Sequence, residues 1–264
     1  MQRRGIGAIA VLLCFLPLPG WAGAWTLDRG HIQVISGVTM SHATRSFDHA
    51  GKPQWKVQFN KLLAQNYFEY GLTNAVTLFV APEYATAQSN MNGTVGTARA
   101  RNAAVEGGVR ILLLTRVGMI SLQSSVKTAG AFDMSVSANN ASGRQVELRL
   151  LYGREFRLFG DDGFADLQVA ERWISRPRPN EMTIDATAGL RLTPSTQMMF
   201  QSFNTVSGGG GQPPYTFYRT HKLELSFIRQ ITGKWSLQVG AFFSPVGQNT
   251  IVEQGLCAAI WYHV

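Results

Sequence analysis

The chain contains two cysteines in 264 residues, and one of them, Cys14, lies in the N-terminal apolar stretch. With Cys257 the only cysteine downstream, a disulfide framework and a cysteine-based zinc site are both excluded. His31, His42, His49, His221 and His263 are spread too thinly to form a metal cluster, and no motif calls for a cofactor. Beyond residue 24 there is no run of about 18 apolar residues, so no transmembrane helix is available. Charged residues make up only 15% of the chain, and its lysines and arginines form no cluster. The formal charge of +8 therefore lacks the basic patch of a nucleic-acid-binding protein.

The first 24 residues have the layout of a secretory signal. Arg3 and Arg4 form a positive n-region, residues 6–18 an apolar h-region, and Ala22-Gly23-Ala24 a small-residue cleavage site. This predicts a signal peptide over 1–24 and a mature chain, 25–264, that begins at Trp25. Cys14 sits inside the h-region after two leucines, not after a small residue, so it does not read as a lipidated cysteine. Export leads to an oxidising compartment, where Cys257 is expected in a small slot or facing lipid. Loss of Arg3 and Arg4 lowers the formal charge to +6, which suits anionic lipid head groups.

What the mature chain does contain is alternation. Twelve short segments place large apolar residues at every second position. They fall near residues 30–40, 61–70, 76–84, 104–113, 120–127, 146–152, 166–173, 182–191, 197–205, 221–227, 235–243 and 253–264. Each is about as long as a tilted strand needs to cross a bilayer, and a closed barrel satisfies every backbone N–H and C=O between strands. In the sixth segment, for example, Val146, Leu148, Leu150 and Tyr152 alternate with Glu147 and Arg149. Glu171 falls on the apolar face of the seventh, and the ninth has apolar residues on both faces, so its register is open.

Tight turns follow the even segments, whereas residues 41–54, 85–97, 129–144 and 207–214 read as long polar loops. Barrels of this class keep short turns on the periplasmic side. The expected fold is thus all-β, a transmembrane antiparallel up-and-down β-barrel of about 12 strands with both termini periplasmic. A soluble sandwich also permits alternation. Against it, Tyr70, Tyr84, Tyr152, Trp173, Trp235 and Tyr262 fall near strand ends on the apolar face, as an interfacial girdle requires.

The C-terminal Ile260-Trp261-Tyr262-His263-Val264 resembles the terminal signal read by the outer-membrane barrel-assembly machinery, although it ends on Val264 and not on phenylalanine. Further stretches are Ala24-Trp25-Thr26-Leu27, Glu69-Tyr70-Gly71-Leu72-Thr73, and Gly247-Gln248-Asn249-Thr250 with Glu253 and Gly255. With these the chain resembles a proteobacterial outer-membrane β-barrel family described as transporters of the phenol-degradation meta-pathway type. Its XagA-like subgroup is linked to surface polysaccharide and adhesion. The resemblance covers the mature chain and implies the architecture; it leaves the substrate open.

The inward set of charges is Glu69, Glu83, Glu106, Arg110, Glu147, Arg149, Asp166, Arg172, Asp185, Arg191, Lys222, Glu224 and Glu253. In a narrow lumen such residues either line a water path or pair into a structural network. The near balance of signs favours pairing. Arg110, Arg149, Arg172 and Arg191 are expected to face Glu106, Glu147, Asp166 and Asp185, with Lys222 and Glu224 also lining the lumen. Their role would be electrostatic screening of permeants, which makes the barrel a passive or weakly selective channel for small solutes in outer-membrane lipid.

Two other classes compete. A surface barrel supporting adhesion or exopolysaccharide export would use the loops, which hold few of the Trp, Tyr and Arg anchors of interfaces. A lipid hydrolase would need a Ser–His pair on the lipid face, and Ser124, Ser202 and His221 are the outward candidates. No recognisable motif joins them, so no catalytic residue is assigned.

Overall fold

The computed structural model describes residues 23–91, 98–128, 143–158, 160–209 and 216–264. Twelve strands run β1 (Ile32–Phe47), β2 (Pro53–Thr73), β3 (Val76–Met91), β4 (Ala98–Leu114), β5 (Met119–Lys127) and β6 (Gln145–Leu158). They continue as β7 (Asp161–Ile174), β8 (Glu181–Thr193), β9 (Thr196–Ser207), β10 (Arg219–Gln230), β11 (Trp235–Gln248) and β12 (Gln254–His263). Each pairs antiparallel with its chain neighbours, and β1 pairs with β12 from Gln33↔His263 to His42↔Gln254, which closes the barrel. Two bonds between Ile32 and Val264, N–H to C=O in each direction at 2.8 and 3.0 Å, seal the seam at the end that carries both termini. No sheet edge is left open, which is the condition for crossing lipid with strands.

The register puts the alternation where the sequence predicts it. Val38, Leu62, Leu78, Val109, Leu148, Leu150, Val169, Ile184, Leu225, Val239 and Ile260 all project outward. Tyr70, Trp173 and Trp235 are exposed near strand ends, whereas Tyr84, expected there, is exposed midway along β3, which continues above the belt. A continuous apolar belt of this extent on an unpartnered surface is a lipid-facing surface. The open register of β9 resolves with Met199, Gln201 and Phe203 inward and Met198, Phe200, Ser202 and Asn204 outward. Glu171 is exposed on the outer face two residues before Trp173, near the end of β7, and the register does not slip there.

The expected loops at 41–54 and 85–97 are mostly strand. Only residues 48–52 separate β1 from β2, and β3 runs on to Met91. The 21 residues of β2 span about 70 Å of extended chain, and even at a tilt near 40° that exceeds an apolar band about 25 Å tall. Above Met40, Leu62 and Tyr84 the outer face turns polar with His42, Asn60, Thr86 and Gln88. The inner face there is apolar: Ala43, Val57, Phe59, Ala87 and Ile251 form a buried cluster. Ile251 comes from the β11–β12 connection, which hydrogen-bonds to the top of β1 through Phe47 N–H to Thr250 O (2.7 Å) and Val252 N–H to Arg45 O (2.9 Å). Alternation in this upper wall is reversed, which is why it does not read as membrane strand. Residues 92–97 of the expected loop at 85–97, and most of the expected loops at 129–144 and 207–214, lie outside the described residues.

Arginine at Leu150, in the belt, is expected to lower barrel stability by about 2–4 kcal/mol in reversible denaturant unfolding from lipid vesicles. Arginine at the outward Gln58, above the belt, should shift the same transition by less than about 0.5 kcal/mol.

Candidate functional site: the charged lumen

Every strand turns one face to the interior, and most of the charges there are ordered into paired groups. The largest is a ladder of alternating sign that climbs one wall. Asp185 Oδ2 meets Arg149 Nη1 at 2.8 Å, Arg149 Nε meets Glu147 Oε1 at 2.7 Å, and Glu147 Oε2 meets Arg172 Nη2 at 2.7 Å. Arg172 Nη1 then reaches Glu181 Oε2 at 2.8 Å, and Glu181 Oε1 takes Arg178 Nη2 at 2.9 Å and the Tyr218 hydroxyl. Glu147 and Arg172 are direct cross-strand partners in the β6–β7 register. Arg149 instead reaches over β7, where the inward Ala170 is small enough to let the guanidinium pass.

Three smaller groups line the remaining walls. Glu253, 1% exposed, is clamped by Lys61 at 2.8 Å, Lys222 at 3.0 Å and the Ser41 hydroxyl at 2.6 Å. Lys127 pairs with Glu83 at 2.8 Å. Arg110 pairs with Glu69 at 2.9 Å and donates to Gln123, to the Tyr67 hydroxyl and to the Trp25 carbonyl at 3.0–3.1 Å. Glu106 accepts the Ser125 hydroxyl at 2.6 Å and forms no ion pair among the described residues, since its cross-strand partner Lys127 turns to Glu83.

The expected set is thus inside the barrel, but its pairing differs in four places. Arg110 takes Glu69 and not Glu106, because it leans over Thr77 of β3 to reach β2. Arg191 sits near the rim with Asp162, 3.9 Å away. Asp166 pairs with no arginine, and accepts the Ala24 N–H at 3.0 Å and Gln168 Nε2 at 2.6 Å. Glu224 accepts the Cys257 thiol at 3.3 Å, so the lone cysteine lies in an inward slot opposite Gly240. Two cavities, of 460 and 230 Å³, share Glu106, Glu147 and Arg172 as common walls. Arg110, Arg149 and Asp185 line the larger one; Asp166, Arg191, Lys222 and Glu224 line neither.

Sequence reasoning missed the segment before β1, which enters the lumen at the end that carries the termini. The Ser121 hydroxyl donates to Ala24 O at 2.6 Å, and Leu27 N–H donates to Thr77 Oγ1 at 2.8 Å. The Trp25 ring meets Phe164 edge-on, with centroids 5.8 Å apart, beside an apolar cluster of Phe164, Met199, Ile228 and Trp261. It fits because position 153 is glycine: a Cβ there would lie 2.6 Å from the indole. The segment lines the larger cavity.

On the outer face, Ser202, Asn204 and His221 form a hydrogen-bonded set. Asn204 donates to Ser202 Oγ at 3.0 Å and its Oδ1 contacts His221 Nδ1. The amide stands between hydroxyl and imidazole, so the wiring gives Ser202 no general base. Among the described residues no group of three His, Cys, Asp or Glu is arranged to hold a metal.

No protein-family model matches the chain, and no curated protein is similar to it in sequence. Solved structures are similar in fold. The COG4313 outer membrane channel from Pseudomonas putida F1 is 14% identical, with a TM-score of 0.70 over 93% of this chain and 99% of that one. The translocator domain of the autotransporter NalP from Neisseria meningitidis is 9% identical, with a TM-score of 0.58 over 89% of each chain. The transport unit of the autotransporter AIDA-I from Escherichia coli is 10% identical, with a TM-score of 0.52 over 96% of this chain and 94% of that one. The fold is that of outer-membrane β-barrels.

Glu147→Ala is expected to cost about 3 kcal/mol, because it removes a partner from two guanidinium groups held out of bulk water. Arg157→Ala, at the exposed Arg157–Asp162 pair (2.9 Å), should cost less than about 1 kcal/mol. Denaturant midpoints of the refolded barrels measure both.

Proposed function

We propose that the protein is an outer-membrane channel, a narrow and weakly cation-selective path for small polar solutes, with both termini on the periplasmic side. The observation that carries this reading is the pair of interior cavities that meet at Glu106, Glu147 and Arg172. Paired charges present dipoles to a permeant and give little discrimination between ions. Glu106 is different, because it stands where the two cavities meet with only a hydroxyl partner, its carboxylate not engaged in an ion pair. Rings of carboxylate select cations in larger pores, and a single one gives a weak version of the same effect. The similar fold of an outer membrane channel from Pseudomonas putida F1 supports this reading.

The N-terminal segment sets the width of the path at the periplasmic end, with Trp25 as its bulkiest part. The short connections at 74–75, 194–195 and 231–234 would lie on that side, and the C-terminal strand would be the one presented to the barrel-assembly machinery. The solutes are small and polar by the size and lining of the cavities; their identity is a matter for transport assays.

Planar-bilayer recordings of the purified mature protein should give reproducible unit steps and a reversal potential of cation sign in a salt gradient. Glu106→Gln is expected to bring that potential toward zero with little change in conductance, and Trp25→Ala to raise the conductance. A folded, heat-modifiable barrel that never conducts would sink the channel reading and leave the adhesion or polysaccharide-export alternative.

A further inference from the structure

Asp166 is a buried carboxylate with no cation in ion-pair range among the described residues; Arg110 and Arg149 act on it only from farther away. It is 3% exposed, and its two oxygens are met by the Ala24 N–H and by Gln168 Nε2. The nearby Arg149 directs Nη1 to Asp185 and to Gln168 Oε1. No lysine or arginine among the described residues forms an ion pair with Asp166, in contrast to Glu147, Glu181 and Glu253. An ionised carboxylate removed from water without a counter-ion is costly.

What lies against it is the backbone of Gly23. That residue has φ +47°, and a Cβ built on it would fall 1.9 Å from Gln168 Nε2 and 3.0 Å from Asp166 Oδ1. The next residue is equally fitted: Ala24 is fully buried, and its methyl lies where a Cβ on Gly153 would stand, 2.8 Å away. Ala24, expected from the sequence to leave with the signal, is thus part of the wall. A chain that began at Trp25 would leave the Asp166 carboxylate and the Ser121 hydroxyl without these partners in a buried setting.

Gly20 and Ala22 are small residues at the third and first positions before the Ala22–Gly23 bond. That bond therefore meets the small-residue rule as well as the one after Ala24 does. We propose that the signal is removed between Ala22 and Gly23, and that the α-ammonium of Gly23 so released is the counter-ion of Asp166, docking the mature N-terminus in the lumen. The cut is a hydrolysis by the peptidase of the export machinery, with water the only co-reactant. The water hydroxyl goes to the Ala22 carbonyl carbon and its hydrogen to the Gly23 nitrogen; the proton of the new carboxyl moves to the amine. An uncut precursor has a neutral amide at this point, so docking follows processing. This holds whether or not the lumen conducts.

The test uses the full chain, exported in a Gram-negative host and extracted as the folded barrel. N-terminal sequencing and intact mass should give Gly23-Ala24-Trp25; a mature chain that begins at Trp25 overturns the proposal. The pairing is read separately by acylating the α-amine near pH 7, where lysines are protonated. Labelling should be at least about tenfold slower in the folded wild type than in Asp166→Asn or in the urea-unfolded wild type. Equal rates in folded and unfolded wild type overturn the pairing even if the variant fails to insert.

Discussion

The β1–β12 pairing is the constraint on which the rest depends. Once the sheet closes, each side chain has only two directions, and the lipid belt claims one of them for apolar groups. Everything polar that twelve strands carry at belt height must then share a lumen with too little room to hydrate each charge separately. The register of the seam, Gln33↔His263 through His42↔Gln254, fixes the tilt of the whole barrel. It thereby fixes which inward residues of non-adjacent strands come level with one another.

The ladder from Asp185 to Arg178 follows from that crowding. Removing two charges from water costs several kcal/mol each, and the attraction between them offsets this only when geometry and further hydrogen bonds are good. Glu147, with two guanidinium partners at 2.7 Å, and Glu253, with two ammonium partners and a hydroxyl, meet that condition. Such a network adds little net stability over a packed apolar interior. It does hold the walls apart and polar, which an apolar filling of the same space would not.

The belt was legible in the sequence because lipid constrains one face of every strand in the same way, and a period of two survives any error in strand ends. The upper halves of β1, β2 and β3 were not, because they stand above the belt, where His42 and Asn60 face outward and Ala43, Val57 and Phe59 inward. The inward face of each strand was legible from the same alternation, but most partners of the charges on it were not. Arg110 crosses Thr77 to reach Glu69, and Arg149 crosses Ala170 to reach Asp185, each to the second strand along. Spacing along one strand, or between adjacent ones, holds no information about contacts over an intervening strand. The N-terminal segment was missed for a different reason: it has no periodicity. The one available signal was Gly153, an isolated glycine inside a strand, which marks a close approach by something else.

The same features explain why the lumen has two unlike walls. Charges concentrate on β4 to β8, whereas Trp261, Met199, Ile35 and Ile228 give the opposite side an apolar lining at the end near the termini. The N-terminal segment lies between them and bonds to both: the Trp25 ring packs with the apolar side, and its carbonyl accepts from Arg110 of the charged one. A segment held by a single wall would be free to swing with that wall. Held by two, through Asp166, Ser121 and Arg110 on one side and through the cluster in which Met199, Ile228 and Trp261 join Phe164 against Trp25 on the other, it ties the barrel's cross-section at this level to its own seating. Strand tilt, set by closure, and lumen shape, set by the N-terminal segment, are therefore two separate determinants of one interior.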